Sequence, residues 1–200
     1  MYKQMPLPFL YQDLEPYIDT HTIGLHYNKH QKNYLKNLNE LLIKNNFDFT
    51  YPIEEVYNHL YDFNGKDLKD IIFNLGGVVN HNLYWESISP KNKEKLKGNL
   101  LDSINKKYGS FDEFKKTFIE YALKIKGSGY TFLVMNERKN IEIMNMQNQD
   151  SPYLFKFTPL FVVDLWEHAY YINYESYKQN YLDNFFEIAN FAYANKIYNE

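Results

Sequence analysis

The sequence contains no cysteine and a single arginine, Arg138, among its 200 residues. Without cysteine the chain forms no disulfide and offers no thiolate, so any transition metal must be bound by imidazole, carboxylate or water. No run approaches the roughly 18 to 20 continuous apolar residues that a membrane span requires. The first residues lack the basic and apolar segments of a secretion signal, and we therefore expect a cytoplasmic protein.

The chain also lacks a concentration of positive charge. Its net charge is -3 at pH 7, and the basic residues are spread along the sequence. The electrostatic footprint of a nucleic-acid-binding protein is therefore missing, and we expect neither a nucleic-acid nor a membrane partner. Apolar residues make up 44% and charged residues 24% of the chain, as in ordinary globular proteins.

Apolar spacing predicts that the first half of the chain is helical. Helical periodicity covers residues 20–45 and 67–87, and Gly76 and Gly77 interrupt the second helix. Because each glycine costs about 1 kcal/mol relative to alanine inside a helix, the pair indicates that something packs very closely against that backbone. The polar run over 88–98 is typical of a linker between two halves.

The second half mixes helices with short strands. A helix is predicted over 110–126, beginning with a Ser-x-x-Glu capping box at Ser110 and Glu113. Strands are predicted over 130–136, 141–147 and 160–163, and a last helical stretch around 182–194. This is an α+β pattern: a long helical hairpin, then a small three-stranded antiparallel sheet flanked by helices. We expect a helical hairpin domain over 1–89 and an α/β domain over 90–200.

The first predicted helix carries His26, His30 and Tyr34. Their spacing of four residues places all three on one stripe of the helix. Histidine on an apolar helix face is more often a packed or surface residue than a ligand, so this stripe alone is a weak indication of metal binding.

Asp164 is the sharpest indication of a metal site. It follows four apolar residues at the end of a predicted strand, where a carboxylate is costly to bury unless it is paired or bound to a cation. His168 follows four residues later, and His81 lies on the second predicted helix. With His26, these side chains would form a mixed nitrogen and oxygen site that suits Fe, Mn, Zn or Co.

Four strings carry a resemblance to a known family: LHYNKHQKNY at 25–34, LGGVVNHNLYW at 75–85, NQDSP at 148–152 and VVDLWEHAYY at 162–171. In order and spacing they resemble the iron/manganese superoxide dismutases, over nearly the whole chain. The resemblance implies an antioxidant oxidoreductase that converts superoxide to dioxygen and hydrogen peroxide while one Mn or Fe ion cycles between trivalent and divalent states. It also implies a ligand set between the two domains: His26, His81, Asp164 and His168.

The same resemblance assigns roles around the ligands, to His30, Tyr34, Gln149 and Trp166. His30 and Tyr34 would form the gateway of the substrate channel, and Gln149 would hydrogen-bond the solvent molecule that is the fifth metal ligand. Glu167 and Tyr171 would reach across a homodimer interface, Glu167 to the partner's His168 and Tyr171 to the partner's His30. The sequence does not decide whether such dimers pair into tetramers.

The choice of metal depends on positions around the ligands, some of which depart from the family pattern. Glutamine at Gln149 with glycine at Gly77 resembles the manganese type, since the iron enzymes typically place their glutamine near 77. Val162 and Val163 stand where a Gly-Leu pair is usual, which leaves iron or dual-metal use open.

Lys178 falls where the family usually has an arginine near the funnel that leads to the metal site, and its charge would attract the substrate anion.

Other functions of such a site fit the sequence less well. A zinc hydrolase usually has three protein ligands and an evident base, and no HExxH string occurs. A carboxylate-bridged di-iron bundle needs paired Glu-x-x-His motifs, and none occurs. An inactive, structural member of the resembled family would not be expected to keep both the ligands and the gateway.

Overall fold

A computed structural model of the chain describes residues 1–90 and 94–200. Its first half is a helical hairpin, as predicted. The first arm runs through α1 (Thr20–Leu25), a π-helix (His26–Gln31) and α2 (Lys32–Lys44), and the second arm is α3 (Gly65–Glu86). Short 3-10 helices cover Tyr11–Leu14 and Ile53–Asp62. The side chain of Asp19 caps α1 by accepting a hydrogen bond from the Thr22 backbone N–H at 2.9 Å.

The second half places helices around an antiparallel sheet, which confirms the α+β prediction. The helices α4 (Gly98–Tyr108) and α5 (Phe111–Leu123) precede the strands β1 (Gly129–Met135), β2 (Ile141–Gln147) and β3 (Thr158–Asp164). The strand order is β2-β1-β3, so β1 is central. After β3 come a 3-10 helix (Glu167–Ala169), α6 (Tyr171–Tyr174), α7 (Lys178–Phe185) and α8 (Ala192–Asn199), and another 3-10 helix, Pro152–Phe155, precedes β3.

The structure differs from the predicted elements in three places. The first arm of the hairpin is not a uniform α-helix, because residues His26–Gln31 form the π-helix. The helix Gly98–Tyr108 was not predicted. The predicted stretch 182–194 is two helices, because residues between them pair with the segment after α3: Ile88 and Ala189 form a β-bridge. The predicted linker over 88–98 includes residues 91–93, which lie outside the described residues.

The long helix α3 contributes to both apolar cores. Its Leu75 and Val79 belong to a smaller cluster shared with α2, whose Leu38 and Leu42 are fully buried. Its last turns, with Trp85, belong to the larger core around the sheet. One helix therefore links the hairpin to the sheet. Among the described helices, none is long and apolar enough to cross a membrane.

The close approach predicted from the glycine pair is present. A Cβ at Gly76 would lie 1.7 Å from the backbone oxygen of Gln149, and a Cβ at Gly77 would lie 2.4 Å from the ring Cγ of Tyr34. Because neither neighbour leaves room for a methyl group, both positions require glycine. The pair lets α3 lie directly against Gln149 and the Tyr34 ring.

Replacing Gly76 by alanine should therefore destabilise the protein. We expect Gly76→Ala to lower the free energy of unfolding by about 1–3 kcal/mol, the usual cost of overpacking. Gly65→Ala is the matched control on the same helix, since nothing lies within 4 Å of a Cβ there. Urea unfolding of identically prepared proteins measures both changes, and equal stability of the two variants would contradict the close approach.

Candidate metal centre

Four side chains from four separate segments converge at one buried point. His26 begins the π-helix, His81 lies on α3, Asp164 is the last residue of β3 and His168 lies in the following 3-10 helix. One nitrogen or carboxylate oxygen from each of them lies within 4.8 Å of all the others. The structure therefore brings together the four residues that the sequence predicted as ligands.

The carboxylate of Asp164 lies at the centre of this group. Its Oδ2 is 3.1 Å from Nε2 of His26 and 3.5 Å from Nε2 of His168. Its Oδ1 accepts a hydrogen bond from the Trp166 backbone N–H at 2.8 Å, which fixes the plane of the carboxylate. Oδ2 is thereby left facing the imidazoles.

The atoms that face one another here lie close together, but none of them makes a hydrogen bond in the described part of the chain. They are Nε2 of His26, His81 and His168, and Oδ2 of Asp164. Buried polar atoms without partners are rare and costly, and such a set needs an explanation. Three imidazole nitrogens and one carboxylate oxygen are the donor types that Mn and Fe bind. The residues present therefore fit a cation of this kind.

The state of the His81 ring is set by the backbone of its own helix. Its Nδ1 lies 2.5 Å from the carbonyl oxygen of Gly77, which can only accept, so Nδ1 is the donor. The lone pair is then on Nε2, which points toward Asp164. A backbone carbonyl that fixes the tautomer in this way is typical of metal-binding histidines.

Burial controls the charges in the group. It lowers the pKa of His26 to about 4, with a further contribution from His168, and it lowers the pKa of His81 well below the usual value. Burial alone would raise the pKa of Asp164, but the contacts with His168 and His26 outweigh it and hold that pKa well below its usual range. An anionic carboxylate among neutral imidazoles is the arrangement that a cation requires.

A hydrogen-bonded chain of three side chains lies beside the ligands. The amide Nε2 of Gln149 donates to the hydroxyl of Tyr34 at 3.1 Å, and the hydroxyl of Tyr130 donates to Oε1 of Gln149 at 3.0 Å. Tyr34 is half-buried, with its ring centroid 5.5 Å from that of His81. Burial raises the pKa of Tyr34, and raises that of Tyr130 well above the usual value, so both phenols keep their protons near neutral pH.

Two further rings pack on the ligand His168. His30 stacks on it with ring centroids 4.0 Å apart, and Trp166 stacks with centroids 5.6 Å apart. The indole N–H of Trp166 donates to the backbone oxygen of Asn148 at 3.0 Å. His30 and Trp166 thus contact a ligand directly.

An open cleft of about 640 Å³ borders His30 and Tyr34 on the outer face of the first helix. Three lysines line it: Lys29, Lys32 and Lys36. Positive charge at the mouth of a cleft attracts small anions. The sequence prediction did not single out these lysines.

The remaining predicted residues lie outside the group of four. Glu167 is exposed and Tyr171 is 50% exposed, although both are close to His168 in the sequence. Lys178 begins α7, and its Nζ lies 5.9 Å from the ring centroid of Tyr170.

The two valines before Asp164 have different surroundings. Val162 and Val163 are both fully buried on β3. Because side chains alternate along a strand, Val162 shares a face with Asp164 and Val163 points the other way. Across the ladder, Tyr130 pairs with Asp164 and Phe132 with Val162, so these aromatic rings share that face as well.

Sequence reasoning missed two polar contacts near the site. Tyr130, on a strand, donates to Gln149, and Gln31 accepts a hydrogen bond from the buried indole of Trp85 at 2.9 Å. The only signal for Gln31 was its place inside the string LHYNKHQKNY, next to His30. Its partners are too distant in the sequence for spacing to reveal them.

Comparison with known proteins gives matches that cover nearly the whole chain. The model for the alpha-hairpin domain of iron/manganese superoxide dismutases matches residues 1–89, and the model for the C-terminal domain of the same enzymes matches residues 96–197. A manganese superoxide dismutase of Listeria innocua is 37% identical over 196 residues, which cover 98% of this chain and 96% of that relative. The chain therefore belongs to the iron/manganese superoxide dismutase family.

Proposed function

We propose that the chain converts superoxide to dioxygen and hydrogen peroxide with one Mn or Fe ion held by His26, His81, Asp164 and His168. Family membership gives the reaction, an oxidoreductase acting on superoxide, and the metal, Mn or Fe. The observation that supports the ligand set is the convergence of four buried atoms that lack any other partner in the described chain.

When bound, the metal supplies the one-electron redox chemistry of the two half-reactions. The half-reaction that forms hydrogen peroxide consumes two protons, and the chain holds protons close to the site. Tyr34 carries one at its hydroxyl, beside the ring of His81, and Tyr130 carries another, which it donates in a hydrogen bond to Oε1 of Gln149. The Gln149 amide donates to the Tyr34 hydroxyl and accepts from that of Tyr130, so we propose that it orients Tyr34 to release its proton toward the site. The phenolate would regain a proton from water in the open cleft that borders Tyr34.

Entry of the substrate is proposed to pass His30 and Tyr34. The cleft beside them carries Lys29, Lys32 and Lys36, whose charges would raise the local concentration of a small anion. Lys178 keeps its predicted steering role as part of this proposal, although the ring of Tyr170 lies under its cation.

We propose Mn as the preferred metal. Position 77 has no room for any side chain, because a Cβ there would lie 2.4 Å from the Tyr34 ring. The glutamine of the site is therefore Gln149, as in the manganese type, and not a residue at 77. The curated relative is a manganese enzyme, which also supports Mn. Val162 shares a strand face with Asp164, so a change in the volume of its side chain would affect the site most directly. Val163 points to the opposite face of the strand.

Loading the protein separately with Mn and with Fe tests the reaction and the preference together. We expect superoxide decay with both metals and the higher specific activity with Mn. Equal specific activities would contradict the preference for Mn, and absence of activity with either metal would overturn the proposed enzyme.

A ligand and a network residue should fail in different ways. His81→Ala removes a donor nitrogen, so we expect loss of bound metal and activity together. Gln149→Leu leaves all four donors in place but removes both hydrogen bonds to the phenols, so we expect metal to be retained and activity to fall about 10- to 100-fold. Metal analysis and superoxide decay on the same samples separate the two outcomes.

His21→Ala is the control for the ligand variant, since His21 is an exposed histidine on the adjoining turn of α1. It should keep the metal and the activity of the parent protein. Full metal content in His81→Ala would show that the ligand set is wrong, and full activity in Gln149→Leu would show that the amide chain has no part in the reaction.

The homodimer is also a proposal. Glu167 and Tyr171 lie next to the ligand His168 and are exposed in the single chain, as residues that contact a partner would be. A partner surface that covered Tyr171 and its neighbour Ile172, which is 53% exposed, would bury apolar area that is otherwise in water. The division into domains 1–89 and 90–200 and a cytoplasmic location stay predictions from the sequence.

Sedimentation tests the dimer directly. The chain has a mass of 24.1 kDa, and we expect the protein to sediment at about twice that value. The double variant Glu167→Ala with Tyr171→Ala should shift the equilibrium toward monomer, whereas Glu120→Ala, an exposed carboxylate on α5, should not. A parent protein that sediments as a monomer at all concentrations would contradict the proposal.

A further inference from the structure

Gln31 is a fully buried amide that ends the π-helix begun by His26. Its Oε1 accepts a hydrogen bond from the indole N–H of Trp85 at 2.9 Å, and its Nε2 donates to Oδ1 of Asn82 at 2.8 Å. Gln4 adds a longer donation to the same Oε1, at 3.3 Å. One side chain thus ties the first helix to α3 and to the N-terminal segment.

The indole that Gln31 holds packs against a proposed ligand. Trp85 is fully buried, and its ring centroid lies 4.9 Å from that of His26 in an edge-on arrangement. Because an indole N–H can only donate, the acceptor that it meets determines how the ring turns. Gln31 is the acceptor that the described chain provides.

His26 differs from the other deeply buried ligands in how its side chain is held. The Nδ1 of His81 donates to a backbone carbonyl, and Oδ1 of Asp164 accepts from a backbone N–H. The Nδ1 of His26, in contrast, is buried without a hydrogen-bond partner among the described residues. Metal-binding histidines usually have such a partner, which orients the ring. The orientation of the His26 ring therefore depends on packing against its aromatic neighbours.

We infer that Gln31 is a positioning residue for His26, acting through Trp85. The amide fixes the indole, and the indole fixes the ring plane of a ligand that has no hydrogen bond of its own. This inference rests on the proposed ligand set. It adds a residue that the ligands and the Gln149 chain do not include, on the helix that carries His26 rather than on the Gln149 side of the site.

The test compares substitutions that remove different hydrogen bonds of the same amide. Gln31→Met keeps the length of the side chain but removes the acceptor for Trp85. Asn82→Ala is the matched control, because it removes the hydrogen bond that Gln31 donates and leaves the bond from Trp85 intact.

The readouts are the electron paramagnetic resonance spectrum of the metal-loaded protein and its rate of metal release to a chelator. We expect Gln31→Met to change the spectrum and to release metal about 10-fold faster than the parent protein. Asn82→Ala should retain the parent spectrum. A purely structural role would lower the melting temperature of Gln31→Met and Asn82→Ala alike and leave both spectra unchanged, which would overturn the inference.

Trp85→Phe provides an independent test if Gln31→Met does not fold. It removes the indole N–H but keeps an aromatic ring against His26, so it should change the spectrum in the same way. In the double variant the two effects should not add, because they act through one hydrogen bond. A parent-like spectrum for Trp85→Phe would overturn the inference. A parent protein that binds neither Mn nor Fe would instead overturn the ligand set on which the inference rests.

Discussion

The buried carboxylate of Asp164 is the constraint on which the site depends. An anion with no exposed surface is costly unless positive charge or donors surround it. The fold brings it to the end of the edge strand β3, opposite Tyr130 on the central strand, and surrounds it with imidazoles from three other segments. Every element that meets there, from the first helix to the turn after β3, has to be in place to hold a cation that would compensate this charge.

The glycine pair on α3 is the second constraint, and it links the hairpin to the sheet side of the molecule. Gly76 admits the backbone of Gln149, and Gly77 admits the ring of Tyr34 while its carbonyl holds His81. A larger residue at either position would move α3 away from the amide chain. Two residues with no side chain thereby set the distance between a ligand and the proposed source of protons.

Much of this arrangement could be predicted from the sequence, because it depends on patterns among residues that are close together in the chain. Helical spacing located the hairpin, short apolar runs located the strands, and the cost of two glycines within a helix indicated the close approach. Other features depend on contacts between distant residues. The separation of α7 from α8 follows from the pairing between Ile88 and Ala189. The partners of Gln31 and Tyr130, which are Trp85 and Gln149, lie 54 and 19 residues away. Spacing along one segment carries no information about such pairs.

The four proposed ligands are held in two physically different ways. His81 and Asp164 are fixed by hydrogen bonds to the backbone, at Gly77 and Trp166, so substitution of a neighbouring side chain leaves their anchors intact. His26 and His168 rely on rings packed around them. For His168, whose side chain is 13% exposed, the partner subunit's Glu167 would supply an anchor in the proposed dimer. His26 is fully buried, so a residue of a partner subunit would not reach it. The orientation of its ring must therefore be set within the chain, by Trp85 and by the Gln31 amide that holds the indole.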